Sequence, residues 1–329
     1  MITLEPFLNS WLKAYYAKAK IGFRGDFYTA VSRTKFFGAA LANYTLRLLE
    51  SDFKLPLTIV EIGSHDGTLI SDMAEFMHAF DSFAFKDINF ATLEPLEPLA
   101  ILQEANFNAR INKFNKNLKV YKDMNELKAL DFVFFVSNEL LDAFPCELVY
   151  KGKQAYIKHD GGVYSLVFDT VTKEVAKKLE LYEVKGGEIS LSLSKFIESL
   201  FMIKSWFFLA FDYGQMEERD ISLRIYKDHK VYNFLEEKDK LSSFYETSDV
   251  TYDINFRNLE REFVSHGATP CFYYTQSKML IEECEILEIF ESFKPHMSKV
   301  NILKHTNAIN ELIMPNLMGE RFKAVGFRR

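Results

Sequence analysis

The sequence predicts an α/β fold built on a parallel, doubly wound sheet, and three observations carry that prediction. An apolar run at 57–60 leads into Glu61-Ile62-Gly63-Ser64-His65-Asp66-Gly67 and then a helical stretch, 68–80, which reads as strand, glycine turn and helix. Further strand-like runs at 89–93, 118–121 and 132–137 alternate with helical stretches at 98–105 and 125–130. Alternation of this kind is what crossover connections between parallel strands require. A fifth run, 206–211, resumes the sheet after an interruption, and 272–275 with 322–327 are the candidates for its last pair.

From the N-terminus, residues 6–20 place Phe7, Leu8, Trp11, Leu12 and Tyr15 on one helical face, and Gly22 and Gly25 end the helix. A loop over 24–32 precedes a second helix, 34–50. After the alternating region, 147–168 changes to short runs separated by Lys151-Gly152-Lys153 and Asp160-Gly161-Gly162, the signature of antiparallel hairpins. The polar, aromatic-rich stretch 215–257 reads as a loop over the sheet's edge, and helices are expected between 278 and 313. There is no internal repeat and no low-complexity linker. The whole chain, 1–329, is therefore read as one domain: a helical arm and loop (1–50), a ligand-binding core (57–145), inserted segments (146–205 and 215–265), and the remainder of the sheet with its helices (206–214 and 266–329).

Composition removes several function classes. Of 329 residues 48% are hydrophobic, ample for a packed core. The 46 acids outnumber the 40 bases, for a net charge of −6, and no Lys/Arg tract dominates, which argues against nucleic acid as a partner. Cys146, Cys271 and Cys284 lack C-x-x-C spacing, so neither a disulfide framework nor a metal site is indicated, and a reducing compartment is. No apolar run approaches the ~20 residues that span a bilayer, and the first ten residues carry Glu5 and no arginine. A cytoplasmic protein without membrane insertion is expected.

The turn narrows the ligand. Gly63 lets the chain turn tightly, Gly67 lets backbone approach a ligand, and the free N–H groups of the following helix point above the strand. A dinucleotide site would read G-x-G-x-x-G; here the spacing is E-x-G-x-x-x-G, which suits a ligand with a charged amino-acid end and no phosphate, such as S-adenosylmethionine. Ligands of such sheets sit beyond the carboxyl ends of the strands. Glu61 closes the first strand, and Glu94 closes the second, where a carboxylate accepts two ribose hydroxyls. Asp123 follows the third and suits an adenine amino group; Asn138 and Glu139 close the fourth, and Asp212 the fifth.

These residues also carry a family resemblance, nearly end to end. Gly25-Asp26-Phe27-Tyr28-Thr29-Ala30 with Phe37-Gly38, the turn within 60–69, and Asn138-Glu139-Leu140-Leu141-Asp142-Ala143-Phe144-Pro145 resemble motifs of the MidA-like methyltransferases. Asp212-Tyr213-Gly214, Asp249-Val250-Thr251 with Phe256, and Met318-Gly319-Glu320-Arg321-Phe322-Lys323 continue the likeness in order. That family includes the mitochondrial complex I assembly factor that methylates an arginine. The resemblance implies a Rossmann-like, seven-stranded class I methyltransferase sheet with N-terminal helices and inserted hairpin and helical segments. It also implies S-adenosyl-L-methionine as cofactor and a protein substrate, a quinone-side peripheral-arm subunit of complex I. The chain departs from the pattern at His65, where a third glycine is usual, at Val31-Ser32 in place of Pro-Glu, and at Tyr156 in place of a tryptophan.

Expected cofactor contacts are thus Glu61, Gly63, Gly67, Glu94, Asp123 and Asn138, with Thr29 added from a loop that folds over the cofactor. Expected catalytic residues are Asn138, Glu139 and Asp142. Carboxylates after the asparagine suit a guanidinium, which is always cationic and presents a planar fork of donors. Two other readings compete: an assembly factor that keeps the fold and only holds a partner, and a nucleotide-binding oxidoreductase, which the missing G-x-G-x-x-G disfavours. Oligomeric state is not legible.

Overall fold

The computed structural model describes residues 1–16, 30–51 and 53–329, so the Gly25 to Thr29 motif, Thr29 included, lies outside the described residues. The chain divides into two compact units, one of Tyr28–Leu140, Leu200–Asp212 and Thr269–Arg329, the other of Met1–Phe27, Leu141–Ser199 and Tyr213–Ala268.

The first unit carries the expected sheet. Its strands are β1 (Leu57–Ile62), β2 (Ile88–Leu93), β3 (Leu118–Tyr121), β4 (Val133–Asn138), β5 (Trp206–Gln215), β6 (Thr269–Thr275) and β7 (Phe322–Arg328). They lie in the order β3-β2-β1-β4-β5-β7-β6. The first five are mutually parallel, and β7 runs antiparallel to β6. All of β1 and the first five residues of β4 are buried, which is why Leu-Thr-Ile-Val and Val-Phe-Phe-Val read as continuous rather than alternating apolar runs. Strand order reverses between β1 and β4, and a crevice for ligand opens at such a reversal.

Helices α1 (Phe36–Ser51), α2 (Thr68–Phe80) and α3 (Glu97–Ile111) belong to this unit. Leu69, Ile70, Met73, Ala74, Phe76 and Met77 of α2 are buried, joining a core with Phe36, Phe37, Ile59, Phe134 and Phe211. On α3 the buried set is Ala100, Gln103, Phe107 and Ile111, one helical stripe with a single amide in it.

Several elements differ from expectation. The helix expected over 125–130 is one 3₁₀ turn, Met124–Leu127, because few residues separate β3 from β4 and Asp123 caps the turn by accepting from the Asn125 amide at 2.7 Å. Residues Ala30–Arg33, expected as loop, form a four-residue helix, and α3 runs six residues past its expected end. β5 does not stop at 211 but continues through Asp212, which is fully buried within the strand rather than closing it.

The second unit is largely antiparallel. Glu147–Tyr150, Lys153–Asp160 and Val163–Asp169 form the expected hairpins, with Gly187–Ile189 and the N-terminal Ile2–Thr3 added at the edges. The stretch expected as a loop over 215–257 instead holds a three-stranded antiparallel sheet, Arg224–Lys227, Lys230–Asn233 and Asp249–Thr251, whose strands are too short for their alternation to stand out. The N-terminal helix Leu4–Tyr16 buries Trp11, whose indole N–H donates to the Ser248 carbonyl at 2.7 Å. Glu262, buried on Phe256–Ser265, accepts from Lys178 Nζ at 2.7 Å and from the Tyr182 hydroxyl at 2.7 Å, and Ser194 also bonds it, so its charge is compensated where it sits.

Candidate active site

The turn after β1 is held in a left-handed backbone. Gly63 has φ +73° and Gly67, the residue preceding α2, has φ +79°. A Cβ on Gly63 would meet Leu140 Cδ1 at 2.9 Å, and one on Gly67 would lie 3.3 Å from Gln103 backbone. His65 sits between them at φ +48°, so the position where a third glycine is usual keeps the glycine-like conformation with a side chain attached. Burial lowers the His65 imidazole pKa below its ordinary range, opposed by neighbouring Asp66.

Glu61 ties this turn together. Its Oε2 accepts from the Ser64 hydroxyl at 2.6 Å and from the Ile70 amide at 3.0 Å, taking one of the free N–H groups of α2. The side chain is 3% exposed, and desolvation pushes its pKa from 4.5 to about 7 despite those two donors. The sign of the linkage follows. Below pH 4.5 both folded and unfolded chains hold the proton; between 4.5 and 7 only the folded chain does, so this group's stabilisation is lost as pH rises and levels off above 7. A shift of that size corresponds to about 3 kcal/mol. Glu61→Gln keeps an acceptor for Ser64 and Ile70 and cannot ionise, so its stability relative to wild type should improve by up to about 3 kcal/mol between pH 4.5 and 8. Urea unfolding at both pH values measures it, and a difference that does not move with pH would contradict a buried, titrating Glu61.

Sheet register brings the other strand ends alongside. Glu61 is level with Thr92 on β2 and Val136 on β4, and Asn138 with Phe211 on β5. Glu94, 5% exposed, follows β2; its Oε1 accepts from the Leu96 amide at 2.9 Å and its Oε2 from Gln103 Nε2 at 3.1 Å. Each oxygen keeps a lone pair for a hydroxyl donor. Burial raises the Glu94 pKa, while Leu96, Gln103 and Lys122 oppose the rise. Gln103 also donates to the His65 carbonyl at 3.1 Å, joining Glu94 to the turn. This residue was not among the expected site residues; its signal was an amide in an otherwise apolar helical stripe. Asp123 is exposed, and its Oδ1 caps the 3₁₀ turn.

At the end of β4, Glu139 takes φ +52°, and its amide donates to the Phe211 carbonyl at 2.8 Å. Its half-buried carboxylate accepts at Oε1 from Asn138 Nδ2 at 3.1 Å and from the Ala30 amide at 3.3 Å. Asp142 belongs to the other unit. There it is buried in the 3₁₀ turn Leu141–Ala143, bonded to the Tyr213 hydroxyl, and desolvation pushes its pKa up to about 6 against the influence of Tyr213 and Arg224. The structure thus brings Glu61, Gly63, Gly67, Glu94, Asn138 and Glu139 into one unit.

Buried polar atoms of that unit without a hydrogen-bond partner among the described residues include Thr92 Oγ1, Gln103 Oε1, Ser137 Oγ and Asn138 Oδ1. All can accept hydrogen bonds.

Comparison with known proteins bears on the fold and the family. Residues 40–272 match the model of a family of S-adenosyl-L-methionine-dependent methyltransferases. A crystal structure from Burkholderia thailandensis bound to S-adenosyl-homocysteine superposes with a TM-score of 0.81 at 19% identity, covering 100% of this chain and 88% of that one. At that identity the likeness speaks for the fold. Among curated proteins, the mitochondrial protein arginine methyltransferase NDUFAF7 of Xenopus tropicalis is 25% identical, over 97% of this chain and 80% of its own length. Its Caenorhabditis elegans homologue is 24% identical over 78% and 66%. Among the described residues no helix is long and apolar enough to cross a membrane.

Proposed function

This chain belongs to the family of S-adenosyl-L-methionine-dependent methyltransferases, and on that premise we propose that it methylates an arginine side chain of a protein. The observation that carries the acceptor class is the Glu139 carboxylate, held by Asn138 and the Ala30 amide at the end of β4. The names of the distant Xenopus relatives support the same acceptor.

S-adenosyl-L-methionine supplies a methyl group on a sulfonium, poised for in-line displacement. Glu94 is assigned to the ribose hydroxyls, the Gly63 and Gly67 backbone to close approach, and Asn138 and the turn after Glu61 to the amino-acid end. Asp123 is assigned to the adenine rim; Thr29, outside the described residues, keeps its assignment to the cofactor from the sequence alone. Glu139 is assigned to accept from the guanidinium, to orient one nitrogen toward the methyl donor and to offset the cation's charge as the nitrogen–carbon bond forms, the sulfur–carbon bond breaks and one guanidinium N–H proton is released. Asp142, desolvated and bonded to Tyr213 within its own unit, is proposed as a further catalytic residue. His65 preserves the shape of the turn, which favours an active enzyme over a protein that keeps the fold only to hold a partner. The substrate proposed is a quinone-side peripheral-arm subunit of complex I, met in the cytoplasm.

Incubating the protein with labelled S-adenosyl-L-methionine and purified complex I subunits, then mapping the label by mass spectrometry, tests acceptor and substrate together. Label on a residue other than arginine would replace the acceptor class. For the cofactor, Glu94→Ala removes a charged acceptor of two hydroxyls. Calorimetry should show affinity weakened about 10- to 150-fold for each hydroxyl bond lost, the equivalent of roughly 1.5–3 kcal/mol per bond. Affinity equal to wild type would remove Glu94 from the site.

A further inference from the structure

The short helix Ala30–Arg33 is fastened at its far end by residues that no step so far has used. Four residues cannot sustain a helix by themselves, so its place depends on what holds it. Thr34, 4% exposed, shares a 2.9 Å hydrogen bond between its hydroxyl and His305 Nδ1, and the same oxygen accepts from the Phe36 amide at 3.2 Å. The hydroxyl therefore bridges the Phe36 amide and the His305 ring, donating to Nδ1 or accepting from it according to the imidazole tautomer. The His305 ring stands edge-on to buried Phe36 at 5.1 Å. Burial, Lys35 and Lys304 all lower its pKa. One residue earlier, Arg33 Nε lies 3.1 Å from Glu311 Oε2. Both anchors, His305 and Glu311, stand on the helix Lys299–Ile313. At the near end, Ala30 donates its amide proton to Glu139 Oε1.

We infer that Thr34, His305 and Glu311 are positioning residues for the reaction: they pin Ala30–Arg33 so that the Ala30 N–H fixes the rotamer of the Glu139 carboxylate. The inference rests on the role given to Glu139 above. A carboxylate on three rotatable bonds needs fixed donors if it is to meet a guanidinium in one geometry, and Glu139 is not among the residues assigned to the cofactor.

The test compares Thr34→Val, Thr34→Ser and Glu311→Gln in the full chain. Amide exchange at Ala30 is followed by NMR, cofactor affinity by calorimetry, and turnover by labelled methyl transfer to a pool of arginine-containing peptides. Thr34→Val should speed Ala30 exchange about tenfold or more and lower kcat by about tenfold, with S-adenosyl-L-methionine affinity within about twofold of wild type. Thr34→Ser keeps the hydroxyl and should restore both. Glu311→Gln, at a half-exposed ion pair, should move both readouts by only about two- to threefold. Unchanged Ala30 exchange in Thr34→Val would overturn the inference whatever the substrate. So would a parallel loss of thermal stability, cofactor affinity and turnover that serine does not rescue, since that is a structural role. Faster exchange with full arginine methylation would instead overturn the role of Glu139 itself.

Discussion

Glu139→Gln should lower methyl transfer by about 10²-fold or more while leaving S-adenosyl-L-methionine affinity close to wild type, as expected when an electrostatic stabiliser is lost. The substitution keeps the shape of the side chain, and its amide oxygen can still accept from Asn138 and the Ala30 amide. What it removes is the negative charge that faces a cationic acceptor. An interaction that matters more as charge redistributes in the transition state shows itself in kcat rather than in ground-state binding. Steady-state kinetics beside calorimetry separates the two. Full turnover of Glu139→Gln on an identified arginine would end the carboxylate mechanism.

Gly63→Val should abolish measurable cofactor binding, a loss of at least about 100-fold, or roughly 2.7 kcal/mol. Two costs combine. At φ +73° a β-branched residue is a backbone outlier, and the new Cβ would press Leu140 Cδ1 from 2.9 Å. Leu140 can swing away, so the second cost is mainly one of place: valine methyls would fill the space above β1 that a ligand needs. Circular dichroism establishes that the variant is folded, and a folded Gly63→Val that binds with wild-type affinity would show that the ligand does not approach this turn.

Much of the sheet could be read from residue order. Leu57 to Val60 and Val133 to Val136 are buried on both faces, and such strands announce themselves as unbroken apolar runs. The glycine turn was legible because left-handed backbone favours a narrow set of residues. By contrast, nothing in residue order says that Glu61 turns inward to Ser64 and Ile70, that Glu139 adopts φ +52°, or that Gln103 reaches both Glu94 and His65. Those are contacts at sequence separations of up to 38 residues, set by packing rather than by local preference. The strands within 215–257 were missed for another reason: segments of three or four residues give alternation too little length to register.

The interleaving of the two units bears on how the molecule is made. The unit that begins at Met1 is completed only by Leu141–Ser199 and Tyr213–Ala268, and Trp11 bonds a carbonyl 237 residues downstream. At ribosomal rates of about 5–20 residues per second, the helix Leu4–Tyr16 waits roughly 10–50 s for that partner to be synthesised. During the wait Phe7, Leu8, Trp11 and Leu12, all buried in the finished protein, have no native place to go. This unit therefore closes only once the chain has been synthesised through Ala268, and it folds after most of translation rather than alongside it.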